Sequence, residues 1–457
     1  MNADLLKSLA ILALRNLRRN VRRNIATGVA IAAGFTAFLL AAGYSTGGGN
    51  TVANYSLYGL RTGHISINKR DALDKYPINP KKYSLTPSEQ SFINSKLALL
   101  QGVEQIGQVL LSHGLIGNGC KTFPFMATGV DSASNKYATN HPNLAKWAPH
   151  VLKSRRGDPL WSFANEDITV AVSSGLARLL GKTKVRSEFS EASKFSVLDC
   201  HSSDVKERFA DDANVQIASG TWDGQLNAID GDMVQVFSTG LVETNNSSIT
   251  LDIRHLQSLI NTPNVSSIVV WLDDLRNTRS AINKLISLLD EHAQYYDILP
   301  WNDEKVGPYY TGTVRFVNTM VAFIGFVLAM VIVLSIFNSA TMTVIERSEE
   351  VGMLRSLGYT QFLIRFIFTL EGFFLTVIST FVGAIVAAIS SLAINNMGIP
   401  FTPPGVEGAI QLRIIVTPIL VLLAVSSVSF LGILSTWLAV RGISRKNIAE
   451  LIAGTHR

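Results

Sequence analysis

The chain has 457 residues, 47% of them hydrophobic and only 16% charged, with a formal net charge of +6. That balance excludes an ordinary soluble protein, yet residues 45–312 contain no apolar run long enough to span a bilayer, so the composition describes a membrane protein with one large extramembrane domain. Lysines and arginines crowd the two chain ends and one short internal stretch, which reads as a topology signal and not as a nucleic-acid footprint.

Residues 4–23 read as an amphipathic helix lying in the membrane interface, with Leu6, Ala10, Ala13 and Leu17 on one face and Lys7, Arg15, Arg18 and Arg22 on another. Arg18, Arg19, Arg22 and Arg23 directly precede an apolar run at 25–44. At ~1.5 Å of rise per residue such a run crosses ~30 Å of hydrocarbon. The positive-inside rule places the N-terminus in the cytoplasm. A cleaved signal peptide would have a shorter apolar core of ~7–15 residues, so the first span is expected to be retained.

From residue 45 to 312 the chain turns to short pieces punctuated by Gly, Pro, Asn and Asp, the pattern of an extracytoplasmic α+β domain long enough for two subdomains. Residues 63–67, 167–172, 232–237 and 266–272 carry β-branched strand signatures, while 88–100 and 277–292 have helical periodicity. Cys120 and Cys200 both fall in this domain. The expected compartment permits a disulfide between them, but spacing alone leaves their pairing open. Residues 175–183, GLARLLGKT, approach a phosphate-binding loop but place Leu176 where its first glycine belongs, and read as a glycine-capped helix end.

A second span is expected at 313–344, long enough to project beyond the bilayer as a stalk, with Asn318 and Asn338 bonded to neighbouring helices. The charge-dense segment at 346–364 follows. Glu346, Glu349, Glu350, Arg347 and Arg355 surround Val351, Met353, Leu354 and Leu357, which suits a short helix set against a partner, ended by Gly358. A third span follows, with Arg365 and Glu371 near its cytoplasmic end, where both are expected to snorkel, a buried functional pair being the alternative. A Pro-rich loop without Lys or Arg, a fourth span and a basic tail complete a topology with both termini inside.

The resulting fold class is an α-helical membrane protein with four transmembrane helices and a large α+β periplasmic domain inserted between helices 1 and 2. The expected boundaries are 1–24 for the interfacial helix, 25–46, 313–344, 362–394 and 412–440 for the spans, and 47–312 for the domain. The charged helix takes 345–361, the loop 395–411 and the tail 441–457. No H-E-x-x-H, G-x-S-x-G or zinc-like Cys/His spacing occurs, and Cys200 beside His201 reads as coincidence. The chain is therefore expected to be no enzyme, to hold no metal or cofactor, and to bind no nucleic acid.

This layout resembles the MacB, LolC/LolE and FtsX superfamily of ABC transporter permeases, the type VII ABC fold, along nearly the whole chain. The motifs that carry the resemblance are LALRNLRRN at 12–20, ERSEEVGMLRSLGYT at 346–360, TLEG at 369–372 and PFTPPG at 400–405. In the inserted domain, residues 62–67, 173–181 and 238–275 look closest to the lipoprotein-releasing LolC/LolE branch. The tail departs from the family in having Lys446 and Asn447 ahead of Ile448, where a proline is common.

The resemblance implies that Glu346, Arg347, Glu349, Glu350, Gly352, Met353, Leu354, Arg355, Leu357 and Gly358 form a coupling helix that docks on a cytoplasmic ABC ATPase. Met353, Leu354 and Leu357 would fill its groove. ATP and Mg would be used by two such ATPase subunits and not by this chain, which shows no fused nucleotide-binding domain. A second permease subunit, identical or paralogous, would complete a complex in the bacterial inner membrane, in contact with lipid. ATP-driven closure would be transmitted mechanically to the periplasmic domain, for lipoprotein release or export of another amphiphile. The alternatives are an FtsX-like device that signals to a periplasmic partner and a MacB-like extruder working with a periplasmic adaptor.

Overall fold

A computed structural model describes residues 3–17, 21–163, 168–182, 184–189, 212–402 and 406–443. Cys200, His201, Thr183, residues 403–405 and the tail beyond 443 lie outside them. Among the described residues, four helices are long and apolar enough to cross a membrane: Val21–Gly59, Pro308–Glu346, Gln361–Met397 and Pro418–Arg441. The protein is a multi-pass α-helical membrane protein with a large α+β domain inserted between its first and second spanning helices. It forms two compact units, one of residues 1–48, 314–399 and 412–457, the other of 49–313 with 400–411.

In the helical unit the first, second, third and fourth spanning helices meet around Ile31, Phe35, Leu39, Ile332, Ile336, Ala387, Ala424 and Val428. Small residues set the approach. A side chain at Gly383 would lie 2.7 Å from the Ala32 carbonyl, and Thr36 Oγ1 donates to the Gly383 carbonyl at 3.0 Å. Such contacts hold helices together in lipid, where burying apolar surface gives no advantage over the acyl chains. Phe323 and Phe326 stand outward on the second helix, 65% and 64% exposed, as a lipid-facing surface requires. Ser45 Oγ donates to Asn318 Oδ1 at 2.6 Å, the inter-helix role expected of Asn318.

The N-terminal helix, Ala3–Leu17, packs along the third spanning helix. Its buried face runs through Leu9 and Ala13, while Ile11, Leu12 and Leu14 are exposed. The expected interfacial face is thus partly a protein contact, because Asn16 on the same side needs a polar partner. The first spanning helix also continues through Gly47, Gly48 and Gly49 to Asn54, where the sequence suggested a change of structure. Gly47 does not end the helix; any side chain there would lie 2.0 Å from the Arg413 carbonyl oxygen.

The inserted domain is organised on a sheet of β1 (Ile65–Lys69), β2 (Val103–Gly117), β3 (Thr122–Val130), β4 (Arg156–Gly157), β5 (Thr169–Ser173), β6 (Asn214–Gly220), β7 (Leu226–Phe237), β8 (Ser248–Asp252), β9 (Ser267–Leu272) and β10 (Tyr296–Pro300). The order is β10-β1-β9-β2-β3-β8-β5-β7-β4, with β6 joining β2 to β7. Pairs β3/β8 and β5/β7 are parallel and the rest antiparallel. The expected strands at 63–67, 167–172, 232–237 and 266–272 correspond to β1, β5, the end of β7 and β9.

Strand periodicity divides β9 between two cores. Ile268, Val270 and Leu272 join Ile93, Leu256, Leu259, Leu285 and Leu289 from the helices on one face. Val269 and Trp271 turn to a second cluster with Tyr55, Tyr58, Leu144 and Trp301. The helix Pro87–Leu97 starts on a capping box between Thr86 and Glu89 with proline at its first turn, a strong local start signal.

The loop 400–411 belongs to this unit. Ser238 Oγ donates to Glu407 Oε2 at 2.8 Å, the Glu407 amide donates to the Gly240 carbonyl at 3.0 Å, and Leu241 bridges Val406. The near-miss loop at 175–183 is a short helix, Ser174–Leu179, followed by Gly181 at φ +70°. Its Lys182 is buried and paired with Asp212.

Candidate functional site: the charged helix after the second span

The second spanning helix ends at Glu346, and a separate helix, Ser348–Ser356, follows one residue later. Glycine makes its stop. Gly358 sits at φ +90°, its amide donates to the Arg355 carbonyl at 3.1 Å, and the Tyr359 amide reaches the Leu354 carbonyl at 3.1 Å. These two bonds satisfy carbonyls that the helix end leaves open, in a left-handed turn that an L side chain resists. Thr360 then caps the third spanning helix by accepting from the Leu363 amide at 3.3 Å.

The short helix has two unlike sides. Val351 and Gly352 are buried, and Leu354 packs against Val344, Val351, Ile364, Phe368 and Val440. Met353 and Leu357 are 59% and 72% exposed, and Glu349 is exposed with them. Leu354 is thus half-buried against the bundle, while Met353 and Leu357 turn away from it, as the 3.6-residue turn requires.

The charges divide in the same way. Arg347 is 17% exposed, and its Nη1 donates to Glu371 at 3.0 and 3.2 Å, while its Nε donates to Glu350 Oε2 at 2.8 Å. Asn16 Nδ2 supplies a further bond to Glu371 Oε1 at 2.5 Å. Arg23 pairs with Glu346 at 2.5 Å and donates to Thr343 Oγ1 at 2.7 Å. The Arg347 guanidinium also lies 5.1 Å over the Phe368 ring. These groups surround a cavity of about 180 Å³.

Glu371 does not snorkel. It is only 7% exposed, and its carboxylate turns inward because three hydrogen bonds meet it there. A carboxylate removed from water is tolerable only when paired and bonded in this way. Arg365, by contrast, reaches Gln361 one turn back on its own helix, at 3.2 Å. The neighbouring Gly372 allows close approach of the fourth helix, because a side chain there would lie 2.2 Å from Thr436 Oγ1.

Sequence reasoning missed Asn16, Arg23 and Thr343 as members of this cluster. The available signals were Asn16 on the same helix side as Leu9 and Ala13, and Arg23 in the first turn of the first spanning helix. The arrangement holds no nucleophile beside a base, and among the described residues no group of His, Cys, Asp or Glu is placed to hold a metal. What it does is tie together the N-terminal helix, the short charged helix and three spanning helices.

Residues 322–448 match the family model described as FtsX-like permease, C-terminal. Over this stretch the chain is similar to that family. The match contains most of the second spanning helix, the charged helix and the third and fourth spans, so the polar cluster lies largely within the FtsX-like region. No curated protein matches the chain.

Among solved structures, the extracellular domain of the noncanonic ABC-type transporter YknZ from Gram-positive bacteria is similar at 15% identity and a TM-score of 0.29, covering 51% of this chain and 98% of that one. The periplasmic region of MacB from Actinobacillus actinomycetemcomitans is similar at 12% identity and a TM-score of 0.31, covering 54% of this chain and 93% of that one. Likenesses at these scores speak to neither mechanism nor partner.

Proposed function

We propose that this chain is the permease subunit of an ABC transporter of the MacB/FtsX superfamily, set in the bacterial inner membrane with both termini cytoplasmic and the inserted domain periplasmic. The observation that carries the reading is the one-sided charged helix of the FtsX-like region, anchored through Val351, Leu354 and Arg347 while Met353, Leu357 and Glu349 stand free of that anchoring. An exposed apolar pair beside a carboxylate suits a groove on a cytoplasmic ATPase subunit, which would hold the ATP and Mg. Two ATPase subunits and a second permease chain would complete the complex.

In this reading the Arg347–Glu371–Asn16 cluster passes movement of the docked helix to the third span and the N-terminal helix. The Arg23–Glu346 pair passes it to the first and second spans. The second spanning helix, continuous from Pro308 to Glu346, would carry it onward to the inserted domain. The cargo we favour is an amphiphile, a lipoprotein foremost, because residues 24–54, 316–345, 372–397 and 418–440 contain no charged residue to line a hydrophilic path.

The test is purification of the intact chain in mild detergent from its native membrane, beside Met353→Asp/Leu357→Asp. Wild type should bring down a nucleotide-binding subunit with ATPase activity, and the double variant should lose it while remaining folded. Leu354 is left intact, since an aspartate there would enter the buried cluster and confuse unfolding with undocking. Equal recovery from both chains would sink the docking assignment. Lipoproteins retained in the inner membrane on depletion would support the cargo; normal sorting with faulty cell-wall remodelling would favour signalling, and a co-purifying adaptor would favour extrusion.

A further inference from the structure

The inserted domain contains a cavity of about 250 Å³ lined by two arginines, Arg61 and Arg155, with Tyr55, Asn135, Thr128 and Thr250 among its walls. Arg61 reaches it through an unusual backbone. The π-helical turn Tyr55–Gly59 precedes it, and Arg61 itself sits at φ +60°, a left-handed conformation that a non-glycine residue adopts only when its surroundings hold it there. Asn135 Oδ1 accepts from Arg61 Nε at 3.1 Å and fixes the guanidinium's direction. Arg155 follows the short helix Pro149–Lys153, whose His150 ring lies 6.5 Å from that of Tyr55.

Among the described residues neither guanidinium meets a carboxylate, and Arg155 makes no side-chain hydrogen bond. Burial pulls Arg61 down to about 10, an effect opposed by the Tyr55 phenol. Burial also pulls Arg155 to about 10, and the like charge of Arg61 adds to it. Two cations facing one cavity, with no counter-charge among the described residues, is a costly arrangement unless something anionic enters. The walls supply matching donors: Thr128 on β3 and Thr250 on β8 are register partners on adjacent parallel strands, so their hydroxyls stand side by side.

We propose that this cavity binds a small oxyanion of the phosphate or phosphomonoester class between Arg61 and Arg155. Arginine offers planar paired donors to such groups, and the threonine hydroxyls add donors for the remaining oxygens. The same chemistry is carried by free phosphate and by a lipid headgroup ending in a phosphomonoester. The proposal stands apart from the coupling-helix reading, since none of its residues belongs to that cluster.

The experiment uses the full chain in dodecyl maltoside, dialysed free of phosphate, and follows unfolding of the inserted domain and calorimetric binding. Inorganic phosphate is titrated first, then a short-chain phosphatidic acid, with chloride at equal ionic strength as control. The chains are wild type, Arg61→Gln, Arg155→Gln, the charge-retaining Arg155→Lys, and Lys284→Gln, an exposed lysine elsewhere in the domain.

Saturable stabilisation should appear in wild type and Lys284→Gln, survive in weaker form in Arg155→Lys, and fall at least ~10-fold in affinity in both Gln variants. Ligand-free Arg155→Gln should melt at or above wild type, because it loses an unpaired buried charge. Binding of phosphatidic acid alone, with the same arginine dependence, would support the site and assign it to a lipid headgroup. Failure of both probes with wild type would overturn the proposal. So would stabilisation that chloride reproduces, or that persists in both Gln variants. A ligand-free Arg155→Gln that melts well below wild type, with phosphate response intact, would make Arg155 structural and overturn it as well.

Discussion

Substituting Arg347 by alanine would strip Glu371 of two of its three hydrogen bonds and of its ion-pair partner, leaving a 7%-exposed carboxylate held, among the described residues, by Asn16 alone. Breaking a buried pair from one side costs about 3–5 kcal/mol, because the remaining charge keeps its desolvation penalty; the adjoining cavity admits water and draws the expectation to the lower end, about 3 kcal/mol. Glu371→Gln removes the charge but keeps an acceptor for Asn16 and Arg347, and should cost about 1 kcal/mol. In the double variant no carboxylate is stranded, so its cost should fall below the sum of the two singles by about 2 kcal/mol. The assay is denaturant unfolding of the four chains in mixed micelles, followed by the helical signal. Strictly additive losses, or an Arg347→Ala chain as stable as Glu371→Gln, would refute the argument that the pair is a coupled, buried unit.

His64 provides a pH prediction in the inserted domain. It is 3% exposed, its Nδ1 accepts from the Leu272 amide at 3.0 Å, and burial, aided by nearby His141, pulls its pKa down to about 4 despite Glu104, Asp273 and Asp274. Its folded value lies below the unfolded one, so the unfolded chain takes up the proton first. Stability should be level above about pH 6.5 and fall toward pH 4 by roughly 3 kcal/mol through this group. His64→Asn should flatten that part of the profile, and parallel profiles for the two chains would count against it. Gly372→Ala should lose ~1–3 kcal/mol by driving the third and fourth helices apart at Thr436, whereas Gly48→Ala, with nothing within 4 Å of its added carbon, should gain ~0.5–1 kcal/mol. Among the described residues no cysteine is a free thiol. Alkylation with and without reductant, read by mass, should therefore find Cys120 protected until reduced; a labelled Cys120 in the unreduced chain would contradict this.

Local composition was enough to read the four spans, since an apolar run of bilayer length needs no distant partner to declare itself. Strands β1, β5 and β9 were equally legible from β-branched content, and the helix Pro87–Leu97 begins on a start signal written within four residues. The long strands β2 and β3 were not read, partly because Gly107 and Gly114 look like turn residues. They serve close approach instead: a side chain would lie 2.7 Å from Ser134 Cβ at the first and 2.2 Å from the Ala218 carbonyl at the second.

For the candidate site, sequence located the charged helix and its glycine stop but not which way its residues face. Glu371 finds Arg347 24 residues away and Asn16 355 residues away, and the loop around Glu407 joins a domain that precedes it by more than one span. Periodicity and charge are properties of neighbours along the chain, and they determine helices and strands. The direction of Leu354, the burial of Glu371 and the meeting of Arg61 with Arg155 depend on which distant elements share a wall, and only the tertiary structure decided them.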